Sequence, residues 1–451
     1  MACFFRNGDR LKISIPRVEE RDKCTFYEIQ VESDTVKWSV FHRFKDFVQL
    51  HEVLVSGHSV AKDLLPPKKV IGNKEPSFIE KRRSGLEIYL TTVVRFLQKT
   101  MPKELASFLD FQYYDIIFLL NNLAEEFFIQ DDTIQLKSHV FTPLELHAIS
   151  ERLKQPCPTF GQIDQRQDFS HVLDYCLQLS ELNVQGSNSS LRNSDIIPNQ
   201  LSYELTPFKL LNKLVLDEVD CKMIRDLGDL RSTLKTLEIH NSKLSTLSEL
   251  LLCDQTYKEE VDVNGPNVFI KVTHADFSNN QIRAIDKSIQ LLPNVEVLNF
   301  ENNQIEDLEY LNSLIKLKYL NLSGNCFKST QNLEIKLCKI VYLDLSQNQL
   351  TSLKEFSKLY SLETLDVRSN KICDVDEVRH ISHLPCLENL ILTGNSVSVI
   401  VDYRIKVLEL FGNRAAEICL DNEKSNQKEL DKVAILQAIR LSKENRMTPI
   451  K

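Results

Sequence analysis

Three short basic stretches stand out for the chemistry they could do together: HRFKDF at residues 42–47, PPKK at 66–69 and KRR at 81–83. Arginine presents a planar fork of N–H donors that grips two oxygens of one phosphate, whereas lysine supplies a movable point charge. Arg43, the pair Lys68 and Lys69 and the pair Arg82 and Arg83 thus offer forks and point charges, with the Phe44 ring set among the first of them. The fitting ligand is an anion of the phosphate kind. Taken singly, each stretch is an ordinary solvated surface or turn, so the chemistry exists only if the fold closes all three on one anion.

The elements that must do this read as a small sheet with helices. Leu11, Ile13 and Ile15 alternate as in a strand, as do Tyr27, Ile29, Val31 and then Val36, Trp38, Val40. After HRFKDF begins, Phe47, Leu50 and Leu54 take up helical spacing. LLPPKKVIGN is an extended loop, because a proline biases the residue before it away from helix. A long helix follows, with Ser77 and Glu80 as a capping box and Leu86, Tyr89, Leu90, Val93 and Leu97 as its apolar face. In this order the three segments, with FIEKRRSGLEIYL, resemble the phox-homology (PX) fold over about residues 5–118. The resemblance implies binding of phosphoinositides, above all phosphatidylinositol 3-phosphate. It implies that Arg43 holds the 3-phosphate, Phe44 packs under the inositol, Lys68 reaches the 1-phosphate and Arg82 bonds the ring hydroxyls. Phe44 stands where tyrosine is common in that fold. Beyond Lys69, the bare aliphatics Val70 and Ile71 form a membrane-insertion loop, each contributing about 1.5–3 kcal/mol if buried in lipid.

A different pattern rules the rest of the chain. The frame L-x-x-L-x-L-x-x-N-x-L recurs from Val272, Val295, Leu317, Ile340, Leu362 and Leu387, with Asn280, Asn303, Asn325, Asn348, Asn370 and Asn395 in step. A weaker copy from Leu234 has Ser242 in the Asn place, and the lines before it are more degenerate still. Repeats in register read as a leucine-rich repeat solenoid, an α/β array in which each repeat closes its core only against its neighbours. The Asn ladder then satisfies backbone groups where the chain turns away from the strand. Alternation along a strand turns Asp276, Asn299, Asn321, Asp344, Asp366 and Ile391 out onto the concave face. Beside them stand His274, Val297, Tyr319, Tyr342, Thr364 and Asn389. An acid and amide column next to paired tyrosines suits a protein partner presenting basic and apolar groups; the plain alternative is polarity for solubility alone. The frame breaks between Leu252 and Lys271, an insertion that is acidic at its start.

The expected organisation is the PX-like unit, a helical linker and solenoid N-terminal cap over 119–185, the solenoid with its C-terminal cap over 186–420, and a C-terminal helix over 421–451. Thr142, Pro143 and Glu145 predict a helix start in the linker, and KQPCPTF then breaks the chain. In the last helix Leu430, Val433, Ala434, Leu436 and Ile439 are expected to close the core.

Charge is uneven. Residues 1–115 carry 19 Lys+Arg against 16 Asp+Glu, and the remainder 36 against 47. A net charge of −8 argues against bulk nucleic-acid binding, while the basic front suits an anionic surface. Eleven scattered cysteines without a CxxC pair fit a reducing cytosol. No stretch has the length or apolarity of a signal peptide or membrane span, so membrane contact is expected to be peripheral. Neither a phosphate loop nor a GxSxG or HExxH motif occurs, so no enzyme activity and no cofactor are expected. His380, His383 and Cys386 fall three apart, but a metal site wants a fourth ligand.

The domain order, the linker and the cap DYRIKVLELFGNRAAEICLD resemble the nischarin (imidazoline receptor candidate protein) family. That resemblance implies a cytoplasmic scaffold, peripheral on endosomal membranes, linked to Rac- and Rab-type small GTPases, integrin tails and cell migration. The alternative is a purely protein-binding repeat scaffold whose first domain uses Leu64–Lys69 as a contact surface.

Overall fold

The structure is a computed structural model that describes residues 1–2, 11–68, 75–131, 139–155, 164–227, 229–253, 261–329, 331–337 and 339–447. Part of KQPCPTF (156–160) and of the acidic insertion (254–260) lies outside them. Two compact units result: Met1–Gln178 with Gln185–Pro207, and Leu179–Val184 with Phe208–Lys451.

The first unit opens on an antiparallel sheet ordered β1 (Lys12–Arg21), β2 (Cys24–Ser33), β3 (Val36–Arg43). The β1–β2 turn puts Asp22 and Lys23 at φ 51° and 61°, the two-residue geometry that matches strand twist. Helix α1 (Phe44–Gly57) starts directly off β3 and buries Phe47, Leu50 and Leu54, as the spacing predicts. Helix α2 (Pro76–Phe96) buries Leu86, Tyr89, Leu90 and Val93. Its start differs from expectation: the cap is Glu75 with Pro76 in the first turn, and Ser77 is already helical. Proline lacks an N–H and has φ fixed near the helical value, so it suits that first position. Glu80, freed from capping, pairs with Arg83 at 2.7 Å. Trp38 anchors the core; its indole N–H donates to the Leu109 carbonyl at 2.8 Å, and its ring lies edge-on to Phe111.

Two short helical stretches, Lys103–Phe108 and Phe111–Tyr114, lead into longer helices, among them α3 (Ile116–Asp131), α4 (Pro143–Leu153) and α5 (Phe169–Gln178). The expected capping box of α4 is present, with Thr142 N–H donating to Glu145 at 2.7 Å and Glu145 N–H to Thr142 Oγ1 at 3.3 Å. The polar loop QGSNSSLRNSD (185–195), most of which falls inside the solenoid bounds expected from residue 186, closes the open edge of β3. Ser39 N–H donates to the Asn193 carbonyl at 2.9 Å, and Lys37 N–H to the Asp195 carboxylate at 3.0 Å. An exposed strand edge needs such partners, and the boundary drawn at 186 moves to 208.

The second unit is a parallel ladder in which consecutive strands pair: β4 (Lys213–Asp217), β5 (Thr236–His240), β6 (His274–Asp276), β7 (Val297–Asn299), β8 (Tyr319–Asn321), β9 (Tyr342–Asp344), β10 (Thr364–Asp366) and β11 (Asn389–Ile391). Its register is the one the frame dictates. The six ladder asparagines are buried, and each amide does the same work. Asn348 Nδ2 donates to the carbonyls of Leu322, Leu345 and Ser346, and its Oδ1 accepts from Phe327 N–H. Ser242 repeats the duty in part, donating to the His240 carbonyl and accepting from Val219 N–H.

The array ends in α6 (Tyr403–Leu410) and α7 (Gln427–Met447). Only part of the expected apolar set of α7 packs. Val433 is buried and Leu430 half-buried, but Ala434, Leu436 and Ile439 face outward. The phase of α7 is set by two ion pairs to α6, Arg404–Glu429 at 2.9 Å and Arg440–Glu409 at 3.2 Å.

If the ladder is structural, Asn348→Ala orphans a buried N–H and three carbonyls, at roughly 1–3 kcal/mol for each group that water cannot reach. Asn348→Ser should fall between it and the native chain, as Ser242 suggests. Denaturant midpoints of the three chains check this order, and an alanine variant as stable as the native chain would remove the ladder's structural role.

Candidate functional site

The basic segments are positioned by three elements of the first unit. Arg43 is the last residue of β3 and the N-cap of α1, its N–H donating to the Asp46 carboxylate at 2.7 Å. Its side chain is exposed, with Nη1 3.6 Å from Cys24 Sγ and the guanidinium 5.2 Å from the centre of the Phe26 ring, its cross-strand neighbour. A cation at this position stands beside the N-terminus of a helix, where unpaired N–H groups and the helix dipole already favour an anion.

Arg82 and Arg83 sit side by side on α2 and point in different directions. Arg82 is only 9 % exposed, and its guanidinium lies 4.1 Å from the centre of Phe44 and 4.4 Å from that of Phe78. Its Nε has no hydrogen-bond acceptor among the described residues. The Tyr27 hydroxyl is next to it: burial pushes that hydroxyl up and the Arg82 charge opposes the rise. Arg83 is consumed by structure, bonding the Ile15 carbonyl, Glu80 and Glu87. Helical phase thus separates the two arginines, and Arg82 is the one brought to Phe44.

The proline loop reaches the same helix. Gly85 lies three residues beyond Arg82, and a Cβ there would stand 2.9 Å from Pro66 Cγ, so the loop rests directly on bare backbone. Lys68, two residues on, is exposed. Lys69, Val70 and Ile71 lie outside the described residues.

On the second unit, the two concave columns align as expected: His274, Val297, Tyr319, Tyr342, Thr364 and Asn389 in one, Asp276 to Ile391 in the other. The acid and amide column has a structural task that the sequence reading missed. One side-chain oxygen of each accepts the N–H two residues on: Ser278 for Asp276, Glu301 for Asn299, Ser323 for Asn321, Ser346 for Asp344 and Arg368 for Asp366. Where Ile391 breaks the column, Asp421 from the cap reaches in and accepts Thr393 N–H instead. The signal was present in Asp276-x-Ser278, Asn321-x-Ser323 and Asp344-x-Ser346, an Asx turn written in three of the repeats.

The expected binding surface therefore shrinks. Asp366 is fully buried and clamped by Arg368, and Asp344 is 9 % exposed. Neither is available to a partner; at that end the exposed charge is Arg368. What stays open is a hollow of about 600 Å³ lined by His274, Asp276, Asn299, Tyr319, Asn321 and Tyr342, among others. The two tyrosine rings lie 6.2 Å apart, and Tyr319 is 46 % exposed.

Residues 30–112 match the PX domain family, and residues 306–445 match a leucine-rich repeat family. The chain is a PX domain followed by leucine-rich repeats. Serine/threonine-protein kinase 11-interacting protein of Gallus gallus is 31 % identical over 242 residues, 52 % of this chain and 22 % of that one. The chain thus spans about a fifth of that relative's length. Kinesin-like protein KIF16B of Homo sapiens is 37 % identical over 87 residues, 18 % of this chain and 7 % of that one. Among solved structures, a designed CISK-PX domain is 33 % identical, covering 22 % of this chain and 97 % of its own, with a TM-score of 0.21.

Within the PX domain, the sequence reading named Arg43, Phe44, Lys68 and Arg82 but missed Phe78 and Phe26. Phe78 is four residues before Arg82, on the same face of α2, and that spacing was the available signal. Among the weighed metal ligands, His383 bonds the Ser357 carbonyl at 2.9 Å through Nε2.

Two outcomes follow. Gly85→Val should force Pro66 away and lower the melting point of the PX domain, by about 1–3 kcal/mol of overpacking; protease cleavage at Lys68 should quicken. In the repeats, burial pushes the Asp344 carboxyl up, so the unfolded chain ionises it more readily than the folded one. Its ionisation therefore weakens folding as pH rises above the ordinary carboxylate range. Asp344→Asn keeps the acceptor for Ser346 and should raise stability at pH 7, a gain that shrinks as pH falls towards about 4. Melting curves of both chains across that range check the sign.

Proposed function

We propose that this protein is a phosphoinositide-recruited adaptor rather than an enzyme: the PX domain binds phosphatidylinositol 3-phosphate, and the open concave hollow binds a protein partner. The observation that carries the reading is the state of Arg82, a buried charge held between two aromatic rings with an unpaired Nε beside the helix end that presents Arg43. Arg83, by contrast, spends its donors on the Ile15 carbonyl, Glu80 and Glu87. Arg82 has a donor left over and an aromatic neighbour, Phe44, on which a ring could stack.

In this reading Arg43 takes the 3-phosphate at the α1 N-terminus, and Lys68 takes the 1-phosphate as a point charge from the loop. Arg82 bonds the ring hydroxyls, and Phe44 forms the floor. The headgroup choice comes from the resemblance of the three segments, as does a peripheral endosomal location in the cytoplasm. On the solenoid, Tyr319 and Tyr342 with Asp276 and Asn321 suit a partner offering basic and apolar side chains. The chicken relative is by name an interactor of a protein kinase, in keeping with protein recognition. The resemblance to the nischarin family extends the proposal to Rac- or Rab-type GTPases, integrin traffic and cell migration.

Binding of the whole chain to liposomes carrying each phosphoinositide in turn tests this. Arg43→Gln should weaken binding to the 3-phosphate lipid roughly tenfold to hundredfold, the range of a charged hydrogen bond lost. Arg83→Gln should bind as the native chain does while melting earlier. Equal binding of every headgroup, or an Arg43→Gln chain that binds normally, would leave the PX domain as a protein-contact module.

A further inference from the structure

The solenoid carries a second feature that neither the lipid pocket nor the concave hollow uses. From residue 208 onward acids slightly outnumber bases, 35 to 31, yet the rim at the N-terminal ends of its middle strands is basic. Lys235 immediately precedes β5, Lys271 stands three residues before β6, and Lys316 three before β8. All three are exposed, and together they line one hollow of about 290 Å³ with Ile270, Thr273 and Asn294. The hollow's single acid, Glu296, is engaged by Lys318 at 2.9 Å, which holds its carboxyl below the usual range. The hollow is therefore strongly positive.

Its apolar residues are placed unusually. Lys271 and Lys316 occupy the same place in their repeats, just before the first apolar frame position, and each is preceded by an isoleucine. Ile270 is 54 % exposed and Ile315 69 % exposed. The repeat between them has Pro293 and Asn294 at these places, and Asn294 Nδ2 ties the row together by donating to the Ile270 carbonyl at 2.8 Å. Two bare aliphatic tips thus project beside a cluster of lysines.

We propose that this rim docks on an anionic bilayer, with Ile270 and Ile315 entering the interface and Lys235, Lys271 and Lys316 meeting lipid phosphates. The apolar tips decide against an acidic protein surface, which would meet the lysines but leave two isoleucines against polar groups. A bilayer offers both environments within a few ångströms: phosphates outside and acyl chains beneath. The contact selects for charge and not for a headgroup, which separates it from the pocket of the PX domain.

The test is sedimentation of the full chain with vesicles of phosphatidylcholine and phosphatidylserine that contain no phosphoinositide. The native chain should bind, more weakly as salt rises. The double variant Lys271→Ala, Lys316→Ala should bind roughly 25-fold more weakly, about fivefold for each lysine removed from an anionic surface. Ile315→Ser should lose roughly tenfold through the lost apolar burial. All three positions are exposed, so melting points should stay at the native value. A native chain that ignores these vesicles overturns the proposal, as do rim variants that bind like it. Binding of polyglutamate in place of vesicles, lost in the lysine variants, would assign the rim to an acidic protein and equally overturn it.

Discussion

Taking a guanidinium out of water costs several kcal/mol unless its charge and its N–H donors are met. Arg82 meets that requirement only in part. Phe44 and Phe78 face it, and an aromatic face attracts a cation more strongly once both are desolvated, but the Nε hydrogen has no hydrogen-bond acceptor among the described residues. Much of the PX domain's local structure follows from keeping that group in place. Phe44 must open α1 directly at the end of β3, Phe78 must sit one turn before Arg82, and Arg83 must be turned away and tied to Glu80 and Glu87. Gly85 lets the proline loop lie on the same stretch of helix. An arrangement that leaves a buried donor unpaired is poor design for stability alone and good design for a ligand that brings an acceptor.

The solenoid solves the opposite problem. Its strands are only three residues long through most of the array, and every turn away from a strand exposes backbone groups to an apolar core. The ladder asparagines meet those groups from inside, and the Asp and Asn residues at the strand ends meet others from the concave side. Both sets are fixed by backbone accounting. The concave face is therefore polar first because the turns need it. What distinguishes a usable surface is the departure from that need: the Tyr319–Tyr342 pair, which caps nothing, beside a partly exposed Asp276 whose second oxygen accepts from the Asn299 amide at 2.9 Å. Towards the C-terminal end Asp366 spends its second oxygen on Arg368, and the surface closes.

Legibility in the sequence followed the range of the interactions. Strands β1 to β3, the apolar faces of α1 and α2, the capping box of α4 and the whole repeat register were readable because each is set within a few residues or by a fixed period. The choice between Arg82 and Arg83 was not, since it depends on which face of α2 meets Phe44. Residues 186–207 were misplaced for a similar reason: nothing local in a Ser- and Asn-rich loop says that it will bond the edge of β3, about 150 residues earlier. The Asp column was placed correctly and half misread. Alternation gives the direction of a side chain but not whether a neighbour such as Arg368 folds over it, and the outward phase of α7 likewise depends on distant ion pairs.

The proposed lipid pocket divides its work between an exposed and a buried arginine, and the division has physical consequences. Arg43 lies in water at a helix N-terminus, so its field reaches an approaching phosphate over a distance set by ionic screening, about 8 Å at physiological salt. It can speed encounter with any phosphorylated headgroup but discriminates little, because water serves the mismatched ones nearly as well. Arg82 lies where water is largely excluded. A headgroup that puts a hydroxyl at its free Nε gains a desolvated, charge-assisted bond, and one that does not leaves a buried donor orphaned. Sites built around such donors reject ligands lacking the matching group far more strongly than apolar pockets reject a missing methylene. Capture and selection therefore fall to different residues, and Phe44, between them in both sequence and space, holds the ring at the point where the two meet.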